Sequence, residues 1–228
     1  MSSSFLSLLQ ISDSFFPTGV FTQSYGLETY VEAGRITSRQ ELAEFLSAYL
    51  YEVVAASDGL AMLLAYRAAK AGDVPEIIEL DRIMAAQKLS RESREGSAKV
   101  GTQMLKLIAR LHPSPVVVCF NELVAAGEAF GHHSIVFGVA GDAIGAGEHE
   151  LALAFAYNTA AAVVNSAVRL VPLGQNDGQL ILRDLHQIAE DTARKSAILT
   201  KEDIGSAAVA LEIRSMQHER LYSRLFTS

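Results

Sequence analysis

Along almost the whole chain, apolar residues recur at three- and four-residue steps, and that period commits the chain to helices. Residues 38–54 show it best: Leu42, Phe45, Leu46, Tyr49, Leu50 and Val53 share one helical face. Ser38 followed by Glu41 is a capping box, in which serine and glutamate satisfy N–H groups that the first turn leaves unpaired. A second helix is predicted from Ser57 to Gly72, with Leu60, Leu63 and Leu64 inward, Lys70 near the negative end and Gly72 as a left-handed cap. Asp73, Pro75 and Glu76 signal another start. A long helix follows from about Lys88 to Leu111, and its Ser93, Gly96 and Ser97 leave room for another backbone. Pro113 and Pro115 end it, because proline cannot continue the hydrogen-bond ladder.

Val116 to Phe120 is the one strand-like run, which periodicity alone leaves open. Helices are expected over about 122–130, 133–144 and 148–168. Pro172 then breaks the chain, and Gly174 to Gly178 is its most loop-like stretch. Two helices, about 178–194 and 200–217, finish the pattern, with Thr200 capping the second and Asp203 near its positive end. No repeat, low-complexity linker or charge block interrupts it. The expectation is an all-α, single-domain helical bundle of roughly eight to ten helices over residues 1–228. Residues 1–23 would be an N-terminal arm and 218–228 a C-terminal tail.

Composition narrows the function classes. A formal net charge of -7 opposes nucleic acid as a partner. Half the residues are hydrophobic, an excess that calls for a large core or a protein interface. A lone cysteine, Cys119, rules out an intramolecular disulfide and fits a reducing, cytoplasmic setting. No secretory signal is evident at the N-terminus. Residues 151–170 are apolar enough to suggest a membrane span, but alanine dominates and Asn158, Asn165 and Arg169 interrupt, so a buried core helix is expected.

Catalysis finds little support. The chain has no Gly-x-Ser-x-Gly, no phosphate-binding loop with Lys-Ser or Lys-Thr, and no dinucleotide fingerprint. No intrinsic cofactor is expected. Six histidines occur without a chelating spacing. His132 and His133 are adjacent, so on a helix they diverge by about 100°. They could share a metal only across a symmetry axis with their copies; packing or capping is the simpler role. Cys119 sits in an apolar run and reads as a small buried hydrophobe.

Two segments ask for more than packing. In residues 14–30 three phenylalanines and two tyrosines crowd a Pro17-Thr18-Gly19 turn, which suits interface anchors, a plug for one end of the bundle, or both. The tail carries Leu221, Tyr222, Leu225 and Phe226, which at helical spacing make one adhesive face beside Arg220 and Arg224. Such an end must dock on its own core or on another protein, and the forked arginines favour the latter.

The same segments resemble the UreF family of urease accessory proteins. The resemblance runs through Leu8 to Asp13, Phe16 to Gly19, Ser24 to Glu28, Leu89 to Arg94, His132 to Gly138, Ala167 to Gln179 and Met216 to Phe226, in order along the chain. Pro17, Gly19, Ser24, Gly26, Arg169, Pro172, Gly174, Gln175, Asp177 and Gly178 are its motif positions. Thr18 departs from the small or apolar residue common after the proline, and His133 from a frequent tyrosine. The resemblance implies an all-helical, non-enzymatic scaffold that dimerises. It implies binding to UreD (UreH) and the GTPase UreG, modulation of that GTPase, and nickel insertion into apo-urease. It puts Arg220, Tyr222, Arg224, Leu225 and Phe226 on the UreD/UreH side, and Tyr30 and Glu28 on the UreG side. A direct nickel-binding role through His132, His133 or Cys119 is the alternative.

Overall fold

The structure, a computed structural model, describes residues 2–19, 23–205, 208–222 and 224–226. These form twelve α-helices and no strand: α1 (Ser2–Ser12), α2 (Leu27–Glu32), α3 (Arg39–Ala48), α4 (Asp58–Ala71), α5 (Val74–Gln87), α6 (Arg91–Leu111), α7 (Pro115–Ala126), α8 (His133–Ala143), α9 (Glu148–Leu170), α10 (Gln175–Asp184), α11 (His186–Ile198) and α12 (Val209–His218). The all-α expectation holds, with more helices than eight to ten.

Caps written into the sequence set most starts. Ser38 accepts from the Glu41 N–H at 3.3 Å, Asp73 from Glu76 at 3.0 Å and Ser114 from Val117 at 3.2 Å. Ser114 corrects the strand-like run: with Pro115 in the first turn, Val116 to Phe120 are helical and bury Val117 and Phe120. The loop-like stretch is corrected too. Gly174 is a helix cap whose N–H is held by the Asp177 carboxylate at 3.1 Å, and α10 begins at Gln175. Buried Gly178 lets α10 close on Val164 of α9. The single helix expected over 178–194 breaks at Leu185 into α10 and α11.

One contiguous core runs from Leu8 on α1 to Ile204. At its centre α8, buried on every turn from Ser134 to Gly141, lies against α4. Gly138 makes this possible: a Cβ there would stand 2.2 Å from the Met62 carbonyl oxygen. In α6 the backbone's close neighbour is at Gly101, where a Cβ would meet the Gly131 carbonyl at 2.1 Å. The expected gap at Gly96 is filled by the Gln23 side chain instead.

Helices α3 and α4 join through a π-helical turn, Tyr49–Val53, and a 3-10 turn, Val54–Ala56. This continuous stretch and α9 are long and apolar enough to cross a membrane. In both, more than half of the most apolar window is buried inside the fold, as core helices require.

Candidate functional site

The two chain ends meet the bundle in different ways. Helix α1 buries Leu8 and Ile11 and leaves Phe5, Leu6 and Leu9 at least half exposed. After it, Asp13 closes a turn by accepting the Phe15 N–H on its side chain and the Phe16 N–H on its carbonyl. The turn splits the aromatic pair. Phe16 enters the core, and Phe15 stands 93% exposed. Phe16 thus serves as the plug, and Phe15 is left free for the anchor role expected of this segment. Pro17 and Gly19 are exposed, Gly19 in the left-handed region; Phe21 lies outside the described residues.

Ser24 is buried, and Tyr25 and Gly26 both take positive φ, 54° and 81°, to turn the chain into α2. A non-glycine residue tolerates that region poorly. The turn brings Glu28 inward. Its Oε1 accepts the Leu225 N–H at 2.7 Å, and its Oε2 accepts the Phe226 N–H at 3.2 Å. Oε2 also lies 2.8 Å from Nε2 of His218, whose Nδ1 lies 2.7 Å from Glu92 Oε2. The other Glu92 oxygen accepts from Arg224 at 2.6 Å. His218 is fully buried at the end of α12, and Glu28 is only 6% exposed. The tail is thus clasped between α2 and α6.

This geometry corrects two expectations. The tail is not a helical face: α12 ends at His218, Arg220 is exposed, and Arg224 pairs with Glu92 rather than standing beside Arg220. Phe226 is buried in the chain's own core, whereas Tyr222 is fully exposed and Leu225 is 68% exposed. Glu28, expected on the UreG side, is nearly buried and holds the tail. Tyr30 is half-buried, packed on Phe45 at 5.4 Å and beneath the Arg214 guanidinium at 5.5 Å.

From Tyr30 an aromatic row leads inward through Phe45 and Tyr49 to Tyr25. It ends at a cavity of about 100 Å3 lined in part by Tyr25, Tyr49, Asp58, Lys88, His133 and Glu212. At 10–15 Å3 per water, several would fit. Burial works to raise the Asp58 carboxyl, but the Lys88 ammonium at 2.8 Å holds it below the usual range. Burial pushes Glu212 and the Tyr25 and Tyr49 hydroxyls up, and His133 down to about 4. At neutral pH the chamber therefore holds one fixed ion pair, protonated phenols and a neutral imidazole.

The histidine pair does not converge. The His132 ring faces Phe130, and the His133 ring faces Phe137 and Phe155. His132 is fully buried with neither ring nitrogen partnered, and burial pushes it down to about 4. Cys119 is half-buried on α7. Among the described residues no three His, Cys, Asp or Glu side chains gather where they could hold a metal.

Sequence reasoning missed Asp81. This fully buried α5 residue accepts from the backbone N–H groups of Phe130, Gly131 and His132 at 2.6, 2.9 and 2.8 Å. It fixes the turn that launches α8, whose start carries the His132 to Gly138 motif. No local signal marks it, because its partners lie about fifty residues away. The other motif residues are structural or exposed: Arg169 ends α9 at the surface, and Pro172 is exposed before the α10 cap.

The family model UreF matches residues 36–186. Proteins named urease accessory protein UreF are similar over nearly their full length. The one from a Bacillus species is 36% identical, with 98% of each chain covered. The Lachnoclostridium phytofermentans protein is 37% identical over the same share, and that of Actinobacillus pleuropneumoniae 38% identical over 97% of each. With the family model spanning well over half the sequence and such relatives aligned from end to end, the chain belongs to the UreF family of urease accessory proteins.

Proposed function

We propose that this chain is a non-catalytic scaffold for urease maturation, which bridges UreD (UreH) and the GTPase UreG on apo-urease so that nickel is inserted. It works in the cytoplasm as a homodimer and modulates UreG GTPase activity. It needs no cofactor of its own, and nickel is its cargo's metal. The observation that carries this reading is an end that is anchored yet open. The clasp holds the backbone at Leu225 and Phe226 while the Tyr222 and Leu225 side chains stay in solvent. Large apolar side chains on a held backbone cost little further ordering when a partner covers them.

Tyr222, Leu225 and the exposed Arg220 form the UreD/UreH contact, with Arg224 and Phe226 holding the tail in place. Tyr30, with Phe45 and Arg214 around it, faces UreG, and Glu28 supports the UreD/UreH contact by seating the tail. Exposed Phe5, Leu6, Leu9 and Phe15 add apolar area at the other end of the chain. The test is co-purification with UreD and UreG, followed by the nickel content of urease from cells expressing the whole gene cluster. Tyr222→Ala with Leu225→Ala should abolish UreD capture and lower urease nickel several-fold. Undiminished capture by a folded double variant would refute the reading.

A further inference from the structure

The clasp has a proton requirement. Both ring nitrogens of His218 lie within hydrogen-bond distance of a carboxylate, Nε2 of Glu28 at 2.8 Å and Nδ1 of Glu92 at 2.7 Å. A carboxylate only accepts, and a neutral imidazole carries a single N–H. With a neutral ring one contact would set lone pair against lone pair inside a site from which water is excluded. The contacts are satisfied together only when the site holds one further proton, which imidazole, ordinarily more basic than a carboxylate, takes up so that both ring nitrogens carry hydrogen.

Charge leads to the same place. Glu28 comes from α2, Glu92 from α6 and Arg224 from the tail, and the His218, Glu28 and Glu92 side chains are all nearly buried. Two carboxylates and one guanidinium leave a net charge of -1, and an imidazolium brings it to zero. The flanking charges change little. Arg91 is paired with Glu219 of the chain just past α12 and with Glu95, and the Arg94 guanidinium is taken up by the Lys88 and Leu89 carbonyls. Burying an uncompensated charge is costly, and a neutral cluster in which every partner is hydrogen-bonded costs less.

We propose that the C-terminal clasp is a proton-binding site: the tail docks on α2 and α6 while His218 is an imidazolium between Glu28 and Glu92, and it comes free when that proton leaves. The seat of Phe226 and the outward aim of Tyr222 and Leu225 thereby become functions of pH. This holds whichever protein the tail meets.

The test uses the full chain alone. Hydrogen exchange of the Leu225 and Phe226 amides, corrected for intrinsic exchange rates, is followed from pH 6 to 9.5. In the wild type, protection should fall above a midpoint with a slope approaching tenfold per pH unit, the limit for one linked proton. In Glu92→Gln the new amide can donate to a neutral His218, so protection should stay level across the range. Level protection in the wild type, or the same fall in Glu92→Gln, would overturn the proposal. If Glu92→Gln shows no protection even at pH 6, the side-chain 15N resonances of wild-type His218 decide. Two protonated ring nitrogens while the tail is protected support the clasp, and a neutral ring in that state overturns it.

Discussion

Replacing Asp81 by alanine should be among the most damaging single changes in this protein. The carboxylate is inaccessible to solvent and accepts three backbone N–H groups in succession, all 2.9 Å away or closer. Two of these donors are themselves buried. A buried donor that loses its partner costs about 1–3 kcal/mol. Three such losses, softened where water can reach Phe130, come to about 3–6 kcal/mol. The first turn of α8 also loses the negative charge at its positive end, worth ~0.3–2 kcal/mol. Set against a typical total of about 5–15 kcal/mol, that would leave many molecules unfolded near body temperature. Asp81→Asn keeps the shape but places an NH2 where one donor points, so about half the penalty should remain. Urea unfolding at pH 7, followed by far-UV circular dichroism, measures both. Asp81→Ala within 1 kcal/mol of wild type would refute the claim that this carboxylate holds the turn before α8.

Gly138→Ala should destabilise by about 2–3 kcal/mol in the same assay, because overpacking against a backbone outweighs the ~1 kcal/mol of helix propensity gained; a more stable variant would contradict the close α4–α8 crossing. His132 and His133 are lowered to about 4 from an ordinary 6.5, so the unfolded chain binds more protons between those values. Their contribution to stability is therefore complete above pH 6.5 and lost as pH falls toward 4, at most about 3 kcal/mol for buried His132. His132→Phe should flatten that acid slope, read from urea midpoints at successive pH values. Deleting residues 221–228 should leave helicity intact by circular dichroism, cost about 2–3 kcal/mol through loss of the Phe226 contact, and abolish UreD capture. Collapse of the helical signal would show that the tail is essential to the core.

What was legible in the sequence was local. Ser38, Asp73 and Ser114 write their caps within three residues, and α4, α6 and α9 follow from period and stop signals. The misreadings arose where two local signals conflict. In α7 a run of β-branched valines masked the Ser-Pro start, and at Gly174 a loop-like composition concealed a cap. The break at Leu185 leaves no mark, because apolar periodicity continues through it. The functional geometry was least accessible. Glu28 and His218 are 190 residues apart and Glu92 and His218 are 126 apart, so no spacing rule joins them. The tail's arginines and aromatics were recognisable as a docking element. That the chain's own α2 and α6 seat part of it follows only from the fold.

The split of Phe15 and Phe16 has a mechanical consequence. One ring is embedded and its neighbour stands in water, so a single peptide unit tethers the outer ring to the core. Whatever closes over Phe15 must still the two torsions of one side chain, at ~0.5–1.5 kcal/mol, rather than tame a wandering loop at about 1–2 kcal/mol for each residue. Folding has already settled the larger entropic debt, and the exposed ring arrives at an encounter as a stiff peg.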